Sequence, residues 1–309
     1  MNDDIINILK TALAEDLGAE GDITSAAIFD ADDWGEALIR CKQPGVLSGA
    51  ALIAPLFELV DSYLADPSMI SFMSGAQRPH APPTSTAVRT KTELFCADGC
   101  FMEAGTAICK IEGPVRSILA GERTALNLLQ RLSGVATATH NMIKVLEKGG
   151  GGTRLLDTRK TAPGLRALDK AAVRHGGGGS HRSGLYDMML IKDTHIKCAG
   201  GVKSALLKAL AWRGGGKEPL IEIEVQSVAE FLETLALGPD RIMLDNMSPD
   251  EIEQCVEGRN ASGKNIPLEA SGNVSLATLP ALAATGVDFV SSGAITHSAA
   301  ALDIHLVMV

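Results

Sequence analysis

The chain has 309 residues, 46% of them apolar and 21% charged, with a formal net charge of −9. That is ordinary globular composition, with length enough for one large or two ordinary domains. The acidic balance argues against general nucleic-acid binding, which needs a basic face, and aromatics at 4% are too few for base-stacking platforms.

The first stretch, MNDDIINILKTALAEDLG, sets Ile5, Ile8, Leu9, Ala12 and Leu13 at helical spacing. It predicts an amphipathic helix and not a signal peptide, which needs a basic start and an apolar block. EALIRCKQPGVLSG reads as strand broken by a glycine turn, and GAALIAPLFELVDSYL as helix. SGAQRPHAPPTSTAVR, in the region 74–90, is rich in Pro, Ser and Thr and reads as a surface loop or insertion, with His80 a solvated loop residue. GCFMEAGTAICKIEG is again strand-like. A helical pattern then covers residues 115–148, with Leu119, Ala125, Leu128, Leu129 and Leu132 on one face, and Gly149 to Gly152 stop it.

From there strands and helices alternate. The strands are RLLDT, YDMMLIK, LIEIEV, RIMLDN, IPLEAS and DFVSSGA, apolar and separated by helix-length segments, as a buried parallel sheet requires. Ser227 with Glu230 and Ser248 with Glu251 fit capping boxes, and Pro249 suits a first helical position. Such a repeat favours a barrel over an open sheet. No apolar run approaches membrane length. The six cysteines lack zinc spacing and read as reduced thiols of a cytoplasmic protein, and the three glycosylation-type sequons, at Asn246, Asn260 and Asn273, read as chance.

Active sites of parallel β/α folds gather at the C-terminal ends of the strands. Those ends carry Arg159 and Lys160, Lys192 and Asp193, Glu224, Asp245, Ser271-Gly272 and Ser292-Gly293. The glycine-rich HGGGGSHRSG adds His181 and Arg182; taken alone, that run reads as a flexible loop. Each charged residue alone also has a bland reading as a solvated or locally paired group. Together, cations so concentrated in an acidic chain repel one another unless an anion binds among them. Arginine forks suit carboxylates and phosphates, and two carboxylates beside them suit a divalent metal or sugar hydroxyls. The pattern points to small polyanionic substrates, one bearing phosphate and one bearing carboxylate.

DTRKTAPGLRALDKAAV, GGGSHRSGLYDMMLIKDTHI, IEIEV, IMLDNM, EASGNV and SSGAITHS together resemble the quinolinate phosphoribosyltransferases, decarboxylating enzymes also called nicotinate-nucleotide pyrophosphorylases. EDLGAEGDITS, PGVLSG and GERTALNLLQRLSGVAT are similar to the family's early motifs, so the resemblance spans nearly the whole chain. Thr194 and Ser180 stand where the family commonly has Asn, and the 74–90 region departs from its usual length. A relative linked to molybdenum transport shares DTRKT and the His-Arg pair but lacks a good LIKD, so Lys192 favours the quinolinate enzyme.

The resemblance implies an α/β fold: an N-terminal α/β sandwich domain (1–115), an open six-stranded β/α barrel of the type II phosphoribosyltransferase kind (116–293), and a C-terminal helix (294–309) returning to the first domain. It implies quinolinate bound by Arg159, His181, Arg182 and Lys192. Phosphoribosyl pyrophosphate with Mg2+ would then be handled by Lys160, with Glu224 and Asp245 on ribose hydroxyls or metal, and Ser271, Gly272 and Gly293 on the 5′-phosphate. Arg123 resembles an arginine supplied across a homodimer, with higher assembly left open. Two other classes are weighed. An aldolase or isomerase on a phosphate-binding barrel would not need five clustered cations. A non-catalytic paralogue would not need Lys160, Glu224 and Asp245 intact.

Overall fold

The computed structural model describes residues 3–66, 89–149 and 152–309. Most of the 74–90 region, with His80, lies outside them. The chain forms two compact units: residues 1–137, 163–176 and 299–309 make the first, and residues 138–162 and 177–298 the second.

The first unit is built on an antiparallel sheet of order β12-β1-β5-β3, comprising β1 (Trp34–Cys41), β3 (Lys91–Leu94), β5 (Ala107–Pro114) and β12 (Ile304–Met308). A short pair, β2 (Gly45–Val46) with β4 (Phe101–Met102), accompanies it. Alternation sets the faces: Ala37, Ile39 and Cys41 of β1 are buried while Trp34 stays exposed. The N-terminal helix Asp3–Leu17 buries Leu9, Leu13 and Leu17, four residues apart on one stripe. Asp22 caps the next helix, Ile23–Ile28, accepting from the N–H groups of Thr24 (3.1 Å) and Ser25 (3.0 Å). GAALIAPLFELVDSYL is helical over Ile53–Ala65, after a 3-10 turn at Ala50–Leu52. The helix Val115–Lys148 covers the full span that its apolar stripe predicts.

The C-terminal expectation is corrected. Residues 294–309 are not a helix: only Ala294–His297 is helical, and Ile304–Met308 is strand. The segment turns extended at Leu302, whose N–H donates to the Gln130 carbonyl (2.9 Å), while Gln130 Nε2 donates to the Ile304 carbonyl (2.7 Å). Ile304 is buried opposite Cys41, and the β-branched, alternating IHLVM then runs along β1 to Met308 opposite Ala37. Gly134 lets the long helix approach this return, since a Cβ there would lie 2.1 Å from the Ala300 carbonyl oxygen.

The second unit is a six-stranded parallel sheet of order β6-β11-β10-β9-β8-β7. Its strands are β6 (Arg154–Leu156), β7 (Met189–Ile191), β8 (Ile221–Val225), β9 (Arg241–Asp245), β10 (Leu268–Ser271) and β11 (Phe289–Ser291). The edge strands β6 and β7 do not pair with each other, so the barrel is open; Leu156 bridges instead to Gly179. Ile191, Ile221 and Ile223 pack with Val202, Ala205 and Leu206 of the helix Val202–Arg213. Glu222 and Glu224 alternate with these isoleucines and so face the barrel interior. Ser248 forms its capping box with Glu251 at the start of Pro249–Ser262. At Ser227 the box is shifted: the hydroxyl accepts from Glu230 N–H (3.3 Å), but the Glu230 carboxylate takes Gln226 N–H (2.8 Å). Among the described residues, no helix is long and apolar enough to cross a membrane.

Candidate active site

At the C-terminal ends of these strands lies a cavity of about 610 Å³. It is lined by Arg159 and Lys160 beyond β6, Lys192 and Asp193 beyond β7, Glu224 on β8, Asp245 on β9 and Ser271-Gly272 at β10, with His181 and Arg182 joining from the glycine-rich loop. Two predicted residues stand outside the lining. Gly293 lies against Lys160, where a Cβ would sit 2.7 Å from the lysine Cδ. Arg123 is on the long helix in the first unit, its side chain 57% exposed and 3.9 Å from Glu122.

The glycine-rich loop is not slack. Gly179 N–H donates to the Leu155 carbonyl (2.8 Å), and Asp157 N–H donates back to Gly179 (3.1 Å). The fully buried Asp157 then accepts the His181 N–H at 2.8 Å. DTRKT therefore supplies both the cations and the anchor for the second basic pair. Arg182 N–H donates to His181 Nδ1 (2.7 Å), while His181 Nε2 lies 2.9 Å from Glu222 Oε2, so both ring nitrogens face protein groups.

Crowded cations dominate the mouth. Arg182 is buried, and desolvation together with the Arg159 charge lowers its pKa against the pull of Asp187, Glu222 and Glu224. Arg159 Nε is buried and has no hydrogen-bond partner among the described residues. A guanidinium left this way marks a place for an anion. Lys192 Nζ meets Glu224 Oε1 at 2.7 Å, and Glu224 Oε2 takes Asp193 N–H at 3.4 Å. Of the glycine-bearing tips, Ser292 has already spent its N–H on the Leu156 carbonyl (3.1 Å).

Sequence reasoning missed the buried acids below the cavity. Glu269 on β10 is fully buried, 3.0 Å from Arg241 and 3.7 Å from His181, and Glu222 shares its surroundings. Burial pushes the Glu269 carboxyl up to about 7, helped by the Glu222 charge and opposed by His181, Ser291 and Arg241. Burial likewise pushes Glu222 up to about 7, against the pull of Arg241. His181, Glu222 and Glu269 place ligand atoms within 4.8 Å of one another, close enough to share a metal ion. Arg241 already brings a cation to this set, and the raised pKa values mark it as a holder of protons. The signal in the sequence was the spacing of IEIEV, which puts two glutamates on one face of an otherwise apolar strand. Asn246 and Asn273 also line the cavity, both at positive φ (56° and 50°).

An open parallel barrel with cations and carboxylates at its strand tips defines an enzyme that acts on small polyanions. The family follows from comparison. Residues 85–133 match the quinolinate phosphoribosyl transferase N-terminal domain and residues 135–307 its C-terminal domain, and the chain belongs to this family of pentosyltransferases. It is 38% identical to the probable nicotinate-nucleotide pyrophosphorylase (carboxylating) of Bacillus subtilis, over 97% of this chain and 91% of that protein. It is 37% identical to quinolinate phosphoribosyltransferase (decarboxylating) 1b of Nicotiana tabacum, over 98% of this chain and 82% of that one. The nicotinate-nucleotide pyrophosphorylase structure from Francisella tularensis superposes with a TM-score of 0.83 at 35% identity, covering 100% of this chain and 97% of that one.

Proposed function

We propose that this protein transfers the phosphoribosyl group of phosphoribosyl pyrophosphate to quinolinate, releasing pyrophosphate and CO2 and forming nicotinate mononucleotide for NAD synthesis. The observation that carries the reading is one cavity in which Arg159, Lys160, Arg182 and Lys192 face Glu224 and Asp245. Arg159, Arg182 and Lys192 take the two carboxylates of quinolinate, with His181 bracing Arg182 from behind. Lys160 takes the donor, and Ser271, Gly272 and Gly293 receive its 5′-phosphate.

The pyridine nitrogen attacks the anomeric carbon as the C–O bond to pyrophosphate breaks. Positive charge grows on the ribose, and Asp245 and Glu224 stabilise it electrostatically. The new bond makes the ring nitrogen cationic. That positive charge stabilises the electron pair left on the adjacent carbon when its carboxylate departs as CO2, and a proton from solvent then bonds to that pair to form the new C–H bond. The cations hold two mutually repelling anions together, which is positioning catalysis. Mg2+ fits the hard oxygen donors here: Asp245 and Glu224 would hold it, Asp245 with an Oδ1 that has no hydrogen-bond partner among the described residues and Glu224 with lone pairs to spare beside Lys192. When bound, the ion neutralises pyrophosphate charge.

The assay is direct: quinolinate, phosphoribosyl pyrophosphate and Mg2+ should yield nicotinate mononucleotide, and no product overturns the reading. Nicotinate, with one carboxylate, leaves cations unpaired and should lose ~3 kcal/mol or more of transition-state binding. Comparable kcat/KM for nicotinate and quinolinate would remove the substrate assignment.

We assign the protein to the cytoplasm as a homodimer in which Arg123 reaches the partner's site, with higher assembly open. The exposed position of Arg123 supports this. Arg123→Ala and Lys160→Ala should each inactivate the enzyme. Mixed under subunit exchange, they should restore about one quarter of the sites, because about half the dimers are hybrids carrying one intact site. No recovery means that Arg123 acts within its own subunit or not at all.

A further inference from the structure

We infer that Asn246 is a positioning residue for Asp245, held in a left-handed backbone conformation so that its amide fixes the carboxylate that faces the ribose. The inference rests on the functional reading above and adds a residue to it.

Three observations converge on the strand tip. First, Asn246 sits at φ 56°, one of two non-glycine residues with positive φ among those described, and both line the cavity. Glycine would adopt this conformation at no steric cost, so a residue with a side chain here needs a use for that side chain. Asparagine is among the few that tolerate the left-handed region. Second, Asn246 Nδ2 donates to Asp245 Oδ2 at 2.9 Å. Among the described residues Asp245 Oδ1 has no hydrogen-bond partner, so one carboxylate oxygen is clamped and the other is left for a ligand.

Third, the neighbouring strand is shaped around this amide. A Cβ on Gly272 would lie 2.1 Å from Asn246 Oδ1 and 2.6 Å from its Cγ, so only glycine at 272 admits the side chain. Asn246 N–H donates to the Ser271 carbonyl at 2.9 Å, carrying the ladder one residue beyond the Asp245–Ser271 rung. The backbone is thus pinned on one side and the side chain on the other. An aspartate on a strand tip otherwise rotates freely about its terminal torsion. Here the rotation is set before substrate arrives, which is what an electrostatic contact to a developing cation requires.

The test compares the wild-type enzyme with Asn246→Gly, which keeps the favoured φ and deletes the amide, and with Asn246→Asp, which keeps the shape and sets a like charge beside Asp245. Steady-state kinetics are measured against each substrate, with Asp245→Asn and the Asp245→Asn/Asn246→Gly double variant alongside. Asn246→Gly should retain its melting temperature and quinolinate KM while kcat falls roughly tenfold, and Asn246→Asp should fall further. The double variant should be no slower than Asp245→Asn alone, because the amide acts only through that carboxylate.

Unchanged kcat in Asn246→Gly overturns the inference. Equal damage to the quinolinate and donor terms, or additive losses in the double variant, also overturns it, since a merely structural asparagine predicts either. If the wild-type enzyme itself makes no nicotinate mononucleotide, the functional reading falls and takes this role with it, an outcome distinct from an active wild type with an equally active Asn246→Gly.

Discussion

Glu269 links the barrel interior to pH. Its carboxyl is fully buried, and its pKa rises from 4.5 to about 7, first through desolvation and then through the Glu222 charge. A carboxyl whose folded pKa lies above its unfolded value binds its proton more tightly in the native state. The stability it contributes is complete below pH ~4.5 and is lost as pH rises towards ~7, the reverse of the usual salt-bridged carboxylate. One such proton is worth ~1.4 kcal/mol per pH unit inside that window, up to ~3 kcal/mol across it. Glu269→Gln removes the titration and keeps an oxygen for Arg241, now 3.0 Å from the carboxylate. Urea unfolding at several pH values between 5 and 7 should therefore give a wild-type stability that falls with pH more steeply than that of Glu269→Gln, by about 1 kcal/mol per unit. Parallel slopes for the two proteins would refute the argument that the interior holds a proton.

Gly134→Ala sets helix propensity against a clash. The gain is ~1 kcal/mol, but the new methyl meets backbone that cannot rotate away, so a net loss of about 2 kcal/mol or more is expected in the urea midpoint; a stabilised variant would contradict the close approach to Ala300. Lys192→Met strips the cation from buried Glu224 and from the quinolinate site, so kcat/KM should drop about 100-fold with the circular dichroism spectrum unchanged; an active variant would take Lys192 out of the site. Ser248→Ala should cost ~1 kcal/mol of stability and leave turnover alone, and a loss of activity instead would mean that the capping box has a role beyond the helix end.

Much of this arrangement is written locally. Of the stripe Leu119, Ala125, Leu128, Leu129 and Leu132, the last four are buried and mark the helix Val115–Lys148 while Leu119 stands off their face, and the apolar runs mark all six parallel strands, because burial on both strand faces leaves a continuous apolar signature. The cations of the cavity were legible because a cluster of like charge is expensive without an anion. What lay hidden depends on contacts distant in sequence. IHLVM is strand because β1, far earlier in the chain, offers it a partner. Asp157 reads as an ordinary strand-end acid until the 179–181 loop folds onto it. Glu222 and Glu269 lie on separate strands, and only the barrel brings them together. Asn246 reads as a glycosylation sequon, and its backbone angle leaves no trace in composition.

The sheet of the first unit is finished by a strand from far along the chain. β12 pairs with β1, and Val309 N–H donates to the Glu36 carbonyl at 2.9 Å. Without β12 this edge of β1 has no partner, and an unpaired edge is a template for another molecule's strand. β12 therefore acts as a seal on the sheet. A chain cut before Ile304 carries an adhesive border that β12 otherwise covers.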